Sequence, residues 1–249
     1  MKLKVWRSGK DGKDARYETY DVRTKPGMSV LEALFAIQDE FDDSLGFRYS
    51  CRGAVCGSCA MTINREPRLA CRTQVAKVAG MKRLGLKEFP GLDRSEPWAA
   101  DAEIIVEPLP NLRIERDLIV DMTWFYEAYR KMNPWLDTSE EEKGFSKMLP
   151  EEVTNLEKFA NCILCAACYG ACPVCEKDRA YVGPAALAWS YRFLGDPRES
   201  RKADKLSAAG EKSGALGCEF IYNCVKVCPK NVAPAMAIRK LRDQLDRRV

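Results

Sequence analysis

The chain has 249 residues, of which 46% are hydrophobic and 31% charged, and its 40 basic and 36 acidic residues leave a formal net charge of +4. This length favours two domains that each bury a core, and the small net charge argues against a nucleic-acid partner. The sequence contains no histidine, which excludes Rieske centres, histidine-ligated haem and Cys2His2 zinc fingers. Twelve cysteines without an export signal predict metal ligation in a reducing compartment. No apolar stretch approaches the roughly 18 residues of a spanning helix, so we expect any membrane contact to be peripheral.

The N-terminal half predicts a small α+β domain. Residues 2–8 and 16–22 alternate in part and flank the turn-rich GKDGKD, which predicts a hairpin. Ser29 followed by Glu32 predicts a helix that begins with a capping box. Two further strands are predicted at 61–63 and 103–106, with a loop-rich stretch between them.

The C-terminal half predicts a helical domain. We place the boundary in EPLPNLRIERD (107–117), which gives domains at 1–108 and 109–249. Helical patterns are predicted at 117–132, 184–194 and 234–248, and no strand is predicted beyond the boundary. The acidic run 140–142 indicates a solvated surface. The basic C-terminal helix is either a plain surface helix or a docking face for a partner or an anionic membrane.

Four cysteines of the N-terminal half have the plant-type spacing for a 2Fe-2S cluster: Cys51, Cys56, Cys59 and Cys71. Gly53 and Gly57 allow the loop to wrap the cluster closely, because a residue without Cβ lets backbone N–H groups turn toward the sulfurs. A four-cysteine zinc site is the alternative, although zinc sites usually present two separated cysteine pairs.

Two related cysteine runs follow in the C-terminal half. The first consists of Cys162, Cys165, Cys168 and Cys172 with Pro173, and the second of Cys218, Cys224 and Cys228 with Pro229. Ile221 occupies the position of the second cysteine in the later run. In such runs the first three thiolates bind one cluster and the fourth ligates the other. This rule predicts a 4Fe-4S cluster on the first three cysteines of the earlier run together with Cys228.

The remaining thiolates, from Cys172, Cys218 and Cys224, number only three. They favour a 3Fe-4S cluster, because an iron beside Ile221 would have no protein ligand. A labile 4Fe-4S cluster with water or hydroxide on that iron is the alternative. Cys175 is left over, either as a buried free thiol that fills space or as a redox-responsive or substitute ligand.

Three different clusters in one chain predict a relay for single electrons. No catalytic residue is predicted, since the chain has no histidine, GxGxxG, P-loop or GxSxG sequence. The chemistry at either end of the relay is therefore expected in partner subunits.

The chain resembles the iron-sulfur subunit of the succinate dehydrogenase and fumarate reductase family over nearly its whole length. The resemblance is carried by SCRGAVCGSCAM, LAC, EPLPNLRIERDLIVDM, NCILCAACYGACP, YVGPAALAWSYRFLGDPRE and NCVKVCPKNVAPAMAI. It implies an α+β fold in which an N-terminal β-grasp 2Fe-2S ferredoxin domain precedes an all-helical bacterial-ferredoxin-like domain.

The resemblance also implies partners and a place in the cell. Electrons would pass between the FAD of a flavoprotein, where succinate and fumarate interconvert, and a quinone near the 3Fe-4S cluster. A cytochrome b-type membrane anchor subunit, often with haem b, would hold the chain peripherally at the cytoplasmic side of the inner membrane. The relay order in such complexes is FAD, 2Fe-2S, 4Fe-4S, 3Fe-4S, quinone.

The quinone end departs from the ubiquinone-linked members of the family. Those members often carry histidine directly after the first cysteine of the last run and tryptophans shortly after the Cys-Pro of the previous run. Here Glu219 takes the first place and Glu176 and Lys177 lie in the second neighbourhood. This difference favours a menaquinone-linked fumarate reductase, while the direction of catalysis stays open.

Two other functions stay open on the sequence alone. One is an iron-sulfur subunit that serves a different flavoenzyme or a thiol-linked reductase, although such chains commonly carry paired-cysteine CCG sequences and this one has none. The other is a stand-alone dicluster ferredoxin or a zinc-based binding module.

Overall fold

A computed structural model describes residues 1–78, 87, 103–138 and 147–247. The chain divides into two compact units, the first formed by Met1–Met122 with Ile163–Ala171 and the second by Thr123–Cys162 with Cys172–Val249. The domain boundary at 108/109 stays a prediction, because compactness does not establish where independently folding domains meet. The acidic run 140–142 and Arg248 of the C-terminal helix lie outside the described residues.

The first unit is built on a mixed sheet. Its described strands and helices are β1 (Lys2–Arg7), β2 (Arg16–Asp21), α1 (Val30–Glu40), β3 (Ala60–Ile63), β4 (Glu66–Leu69), α2 (Val75–Val78), β5 (Glu103–Glu107), β6 (Ile114–Arg116), β7 (Ile119–Val120) and α5 (Ala167–Gly170). The five-stranded sheet has the order β2-β1-β5-β3-β4, with β1 and β5 parallel and the other neighbours antiparallel. A separate antiparallel pair joins β6 to β7. The parallel central pair flanked by two hairpins is the arrangement of a β-grasp domain, as predicted.

Local sequence signals position the first elements of this unit. The predicted hairpin is confirmed, since β1 pairs with β2 in register from Lys2 opposite Asp21 to Arg7 opposite Arg16. The predicted capping box is also confirmed: the Ser29 side chain accepts from the Glu32 amide while the Glu32 carboxylate accepts from the Ser29 amide. The apolar face of α1 then joins the core together with alternate residues of β1, β3 and β5.

Two predictions near the domain boundary are wrong, and one predicted stretch contains a further strand. Between the strands at 61–63 and 103–106, predicted as loop-rich, β4 pairs with β3 through a tight turn. The turn residues Asn64 and Arg65 both have positive φ, and an arginine at the second position hides a turn signal that glycine usually gives. The helix expected over 117–132 begins only at Thr123, since the preceding Ile119–Val120 pairs with β6. The expectation that no strand lies beyond residue 108 is also wrong, because β6 and β7 form an antiparallel pair there.

The second unit is helical in its described part. Its helices are α3 (Thr123–Lys131), α4 (Pro150–Ala160), α6 (Pro173–Lys177), α7 (Pro184–Leu194), α8 (Lys202–Gly210), α9 (Asn223–Lys226) and α10 (Pro234–Asp246). The predicted helix at 184–194 is confirmed as α7, which is apolar on most sides and packs against α3, α4, α8 and α10. α10 confirms the helix predicted from residue 234. None of the helices in the described ranges combines the length and the apolar character that a membrane crossing requires.

Candidate metal centres

The first cysteine loop turns backbone amides toward a sulfur. The amides of Gly53, Val55 and Cys56 each lie 3.3 Å from the Sγ atom of Cys51. The chain achieves this by placing Arg52 and Ala54 in the left-handed region, at φ values of 54° and 57° that residues with a Cβ seldom adopt. Amides that point at a thiolate stabilise its negative charge, which is the electrostatic setting that a cluster ligand requires.

The fold groups the other three predicted ligands of this cluster with Cys51. The Cys51 amide lies 3.4 Å from Cys56 Sγ, and Cys59 is hydrogen-bonded to Cys71 through both backbone and side chain. Burial would raise the pKa of Cys56, but hydrogen bonds from Ser58 and Cys51 outweigh it and lower the pKa to about 6. Burial, together with the neighbouring Cys71, raises the pKa of Cys59 to about 12. The predicted four cysteines therefore form one group, from the exposed Cys51 to the buried Cys59.

Gly57 has a second role that the sequence did not indicate. Its φ is +76°, and a Cβ at this position would lie 2.8 Å from the Cβ of Cys165 and 2.9 Å from the carbonyl oxygen of Ile163. Both partners belong to the same compact unit as the loop. Glycine at position 57 thus allows the first cysteine loop to touch the segment that carries a predicted 4Fe-4S ligand.

The two later cysteine runs share one backbone conformation. In the earlier run Leu164 and Ala166 are left-handed, and in the later run Phe220 and Tyr222 are left-handed at the matching positions. Each pair brackets one residue, Cys165 in the earlier run and Ile221 in the later one. A short helix follows directly in both, α5 after Ala166 and α9 after Tyr222. Ile221 therefore occupies the structural place of a cysteine ligand.

The second unit contains a cavity that fits a three-ligand cluster. It opens to solvent, and its lining includes Cys172, Cys218, Cys224 and Ile221. In the described part of the chain no three acidic or cysteine side chains converge on the place of a single metal ion. A cluster spreads its thiolates over several irons, so a cavity shared by the three thiols is the relevant fit.

The thiols of this cavity lie in a buried setting. Burial raises the pKa of Cys224 to about 12 and also raises the pKa of Cys218. A hydrogen bond involving Cys175 lowers the pKa of Cys172. Cys175 itself is fully buried, so both of its interpretations, as a space-filling thiol and as a redox-responsive or substitute ligand, stay open.

The 4Fe-4S ligand set rests on spacing. Cys165 and Cys168 belong to the first unit, whereas Cys162 and Cys228 belong to the second. Cys228 Sγ accepts from the amide of Val232 at 3.3 Å, again the amide-to-sulfur contact of a cluster loop.

A residue that the sequence did not single out completes the three-cysteine cavity. Tyr181 lines it, is 1% exposed, and has a buried hydroxyl without a hydrogen-bond partner among the described residues. Its position nine residues after Cys172, outside both runs, gave no ligand signal. An unpartnered hydroxyl aimed at a sulfur-lined space is a second observation that fits a cluster there.

Comparison with known proteins gives the same centres. Residues 2–127 match the family model of a 2Fe-2S iron-sulfur cluster binding domain, and residues 158–232 match that of a 4Fe-4S dicluster domain. The predicted 2Fe-2S and 4Fe-4S cofactors are thereby confirmed at the level of domains.

Full-length relatives and a solved structure are also similar. The chain is 40% identical to the succinate dehydrogenase iron-sulfur subunit of Coxiella burnetii, covering 90% of this chain and 87% of the relative. It is 34% identical to the fumarate reductase iron-sulfur subunit of Haemophilus influenzae, covering 89% and 83%. The Mycobacterium smegmatis Sdh1 complex in the apo form contains a chain that matches with a TM-score of 0.84 at 25% identity, covering 99% of this chain and 95% of that chain. With an α+β fold, both cluster domains and these relatives, the chain belongs to the iron-sulfur subunits of succinate dehydrogenases and fumarate reductases, the electron-transfer components of those oxidoreductases.

Proposed function

We propose that this chain relays single electrons between the FAD of a flavoprotein subunit and a quinone bound near a membrane anchor subunit. The cavity lined by three cysteines and Ile221 is the observation that supports a three-iron cluster at the quinone end of the relay. This cavity offers three thiolates, whereas a 4Fe-4S cluster takes four, so the last cluster of the relay differs in type from the one before it. Bound clusters supply one-electron oxidation and reduction, and the protein holds them and sets their potentials.

The proposed ligands follow the predicted sets. Cys51, Cys56, Cys59 and Cys71 hold the 2Fe-2S cluster; Cys162, Cys165, Cys168 and Cys228 hold the 4Fe-4S cluster; Cys172, Cys218 and Cys224 hold the 3Fe-4S cluster. The amides on Cys51 Sγ support the first set, and the shared cavity supports the third. The contact between Gly57 and Cys165 supports a direct route from the first cluster to the second, because no other chain segment separates the two loops.

We further propose that the quinone is menaquinone and that the complex works as a fumarate reductase. Glu219 lines the three-cysteine cavity, where ubiquinone-linked members often carry histidine. A carboxylate and an imidazole bond differently to a quinone oxygen, since an ionised carboxylate only accepts whereas imidazolium donates. The anchor subunit, with or without haem b, would keep this chain at the cytoplasmic side of the membrane.

The test is purification of the native complex under anaerobic conditions. We expect co-purification of a flavoprotein and a membrane subunit, with roughly nine irons and ten labile sulfides per copy of this chain. Quinol-dependent fumarate reduction is then compared with succinate-dependent quinone reduction, each with menaquinone and ubiquinone analogues. Zinc in place of iron and sulfide, or the absence of a flavoprotein, would contradict the relay, and a preference for ubiquinone would contradict only the quinone assignment.

A further inference from the structure

The three-cysteine cavity contains one polar side chain that ligand binding alone does not explain. Tyr181 lies beneath the surface with 1% of its area exposed, and its hydroxyl oxygen is fully buried. A buried hydroxyl without a partner costs about 1–3 kcal/mol, so phenylalanine would be the more stable choice if the ring only filled space. We therefore expect the hydroxyl to donate to a hydrogen-bond acceptor that occupies the cavity.

The Tyr181 ring packs beside the backbone of Cys218. The Tyr181 ring lies against Gly217, where a Cβ would approach Tyr181 Cδ2 to 2.9 Å. Gly217 directly precedes Cys218, so the ring rests on the backbone of a predicted ligand. Arg242 holds that backbone in place, because its guanidinium donates to the carbonyl oxygens of Cys218 at 2.7 Å and Leu216 at 2.8 Å.

The surroundings of the hydroxyl consist of sulfur. The Tyr181 hydroxyl lies close enough to interact with the thiols of Cys218, Cys172, Cys175 and Cys224, and the first, second and fourth of these line the cavity with it. A phenol hydroxyl donates one hydrogen bond, and a cluster-bound thiolate is an acceptor for it. Because the ring packs on Gly217, the residue before Cys218, the Cys218 thiol is the one next to the hydroxyl.

We propose that the Tyr181 hydroxyl donates a hydrogen bond to the Cys218 thiolate of the three-iron cluster and thereby raises the reduction potential of that cluster. The inference rests on the proposed cluster at this cavity. Each reduction adds one electron and makes the cluster sulfurs more negative, while the hydroxyl keeps its proton. A hydrogen bond to such a sulfur strengthens on reduction, so it stabilises the reduced state more than the oxidised one.

The test is an EPR redox titration of the three-iron signal in the purified complex. Tyr181→Phe keeps the ring that packs on Gly217 and removes only the donor. We expect the one-electron reduction equilibrium constant to fall about tenfold, which corresponds to about 59 mV. Tyr191→Phe is the matched control, since it removes a hydroxyl from the same unit at a residue that does not line the cavity. It should leave the potential unchanged, and the 2Fe-2S and 4Fe-4S potentials should stay constant in both variants.

A second variant separates hydrogen bonding from a general structural effect. Site-specific 3-fluorotyrosine at position 181 keeps the hydroxyl and makes it a stronger donor, so the potential should rise. Opposite shifts with phenylalanine and fluorotyrosine support the proposal, and fluorotyrosine alone decides if the phenylalanine variant does not assemble. An unchanged potential, or shifts of the same sign, would overturn it while leaving the relay intact. A wild-type complex without any three-iron signal would instead overturn the cluster assignment and this inference together.

Discussion

Gly57 of the first cysteine loop lies directly against Cys165, with room for a hydrogen atom but not for a methyl group. A Cβ on Gly57 would come within 2.8 Å of the Cys165 Cβ, and real Cβ atoms essentially never approach another atom so closely. Residues of two predicted clusters thus touch inside one compact unit, although strands β3 to β7 separate them along the chain. The contact explains why the predicted cluster-binding loop has glycine at position 57.

Replacing Gly57 with alanine should disturb the second cluster as well as the first. Alanine in the left-handed region costs roughly 1–2 kcal/mol, and the clash with Cys165 should add about 1–3 kcal/mol. Gly27→Ala is a matched control, because Gly27 has nearly the same φ, +77°, but no atom within 4 Å of the added Cβ. EPR of the reduced complex and thermal unfolding measure both effects. Equal stability loss and unchanged 4Fe-4S spectra in the two variants would contradict the contact.

Ile221→Cys should convert the three-iron centre into a four-iron cubane. Ile221 lies between two left-handed residues, as Cys165 does, so a cysteine there would present its thiolate as the missing ligand. EPR should then lose the signal of an oxidised three-iron cluster and gain that of a reduced cubane. Val174→Cys, in the lining of the same cavity, and Ile221→Val serve as controls and should retain the three-iron signal. Conversion by Val174→Cys, or none by Ile221→Cys, would count against the ligand assignment.

Asp196 should make the stability of the second unit depend on acid pH. Its carboxylate is fully buried and accepts from Arg198 at 2.8 Å and Arg192 at 3.0 Å. Burial alone would raise its pKa, but these hydrogen bonds outweigh that effect and lower the pKa from 3.8 to about 2. The carboxylate therefore stabilises the fold by roughly 2 kcal/mol above pH 4, and this contribution disappears as the pH falls from about 4 to about 2.

Urea unfolding of the wild type and Asp196→Asn between pH 2 and pH 6 tests this linkage. The difference in unfolding free energy between the two proteins should be largest near pH 6 and shrink as the pH falls through 4. Asp204→Asn is the control, because the Asp204 pair with Arg201 is more than half exposed on both sides and should contribute little. A difference that is independent of pH would show that the charge of Asp196 does not stabilise the fold.

Arg7→Met should destabilise the first unit strongly. The Arg7 side chain is 5% exposed and donates from Nε to Asp117 at 3.0 Å, and it also bonds Asp42 and Tyr20. Removing it would leave the 2% exposed Asp117 carboxylate without its buried cation, which typically costs about 3–5 kcal/mol.

Chemical unfolding of Arg7→Met beside Arg113→Met measures this cost. Arg113 also pairs with two carboxylates, but its side chain is 65% exposed, so its loss should cost much less than the loss of Arg7. The loss of comparable unfolding free energy in both variants would show that burial does not strengthen the Arg7 network.

Local signals explain which parts of the fold the sequence could predict. The hairpin of β1 and β2, the capping box at Ser29 and the helix from Pro184 each depend on residues within a few positions of one another. By contrast, the 117–132 segment has a helical pattern, yet Ile119–Val120 pairs with β6 and Asp117 bonds to Arg7. Partners far away along the chain determined the secondary structure of that segment, and a periodic pattern carries no information about such partners.

The sequence by itself predicted the cluster types and the family, because thiolate spacing limits how many ligands a short loop can offer to one cluster. Only the tertiary structure decided that Gly57 meets Cys165 and that Tyr181 faces the three-cysteine cavity. These contacts join residues far apart along the chain, and their geometry follows from how the elements pack. Ile221 shows both contributions. Its place in the cysteine run predicts a missing ligand, and in the structure it lies between two left-handed residues, as Cys165 does in the earlier run.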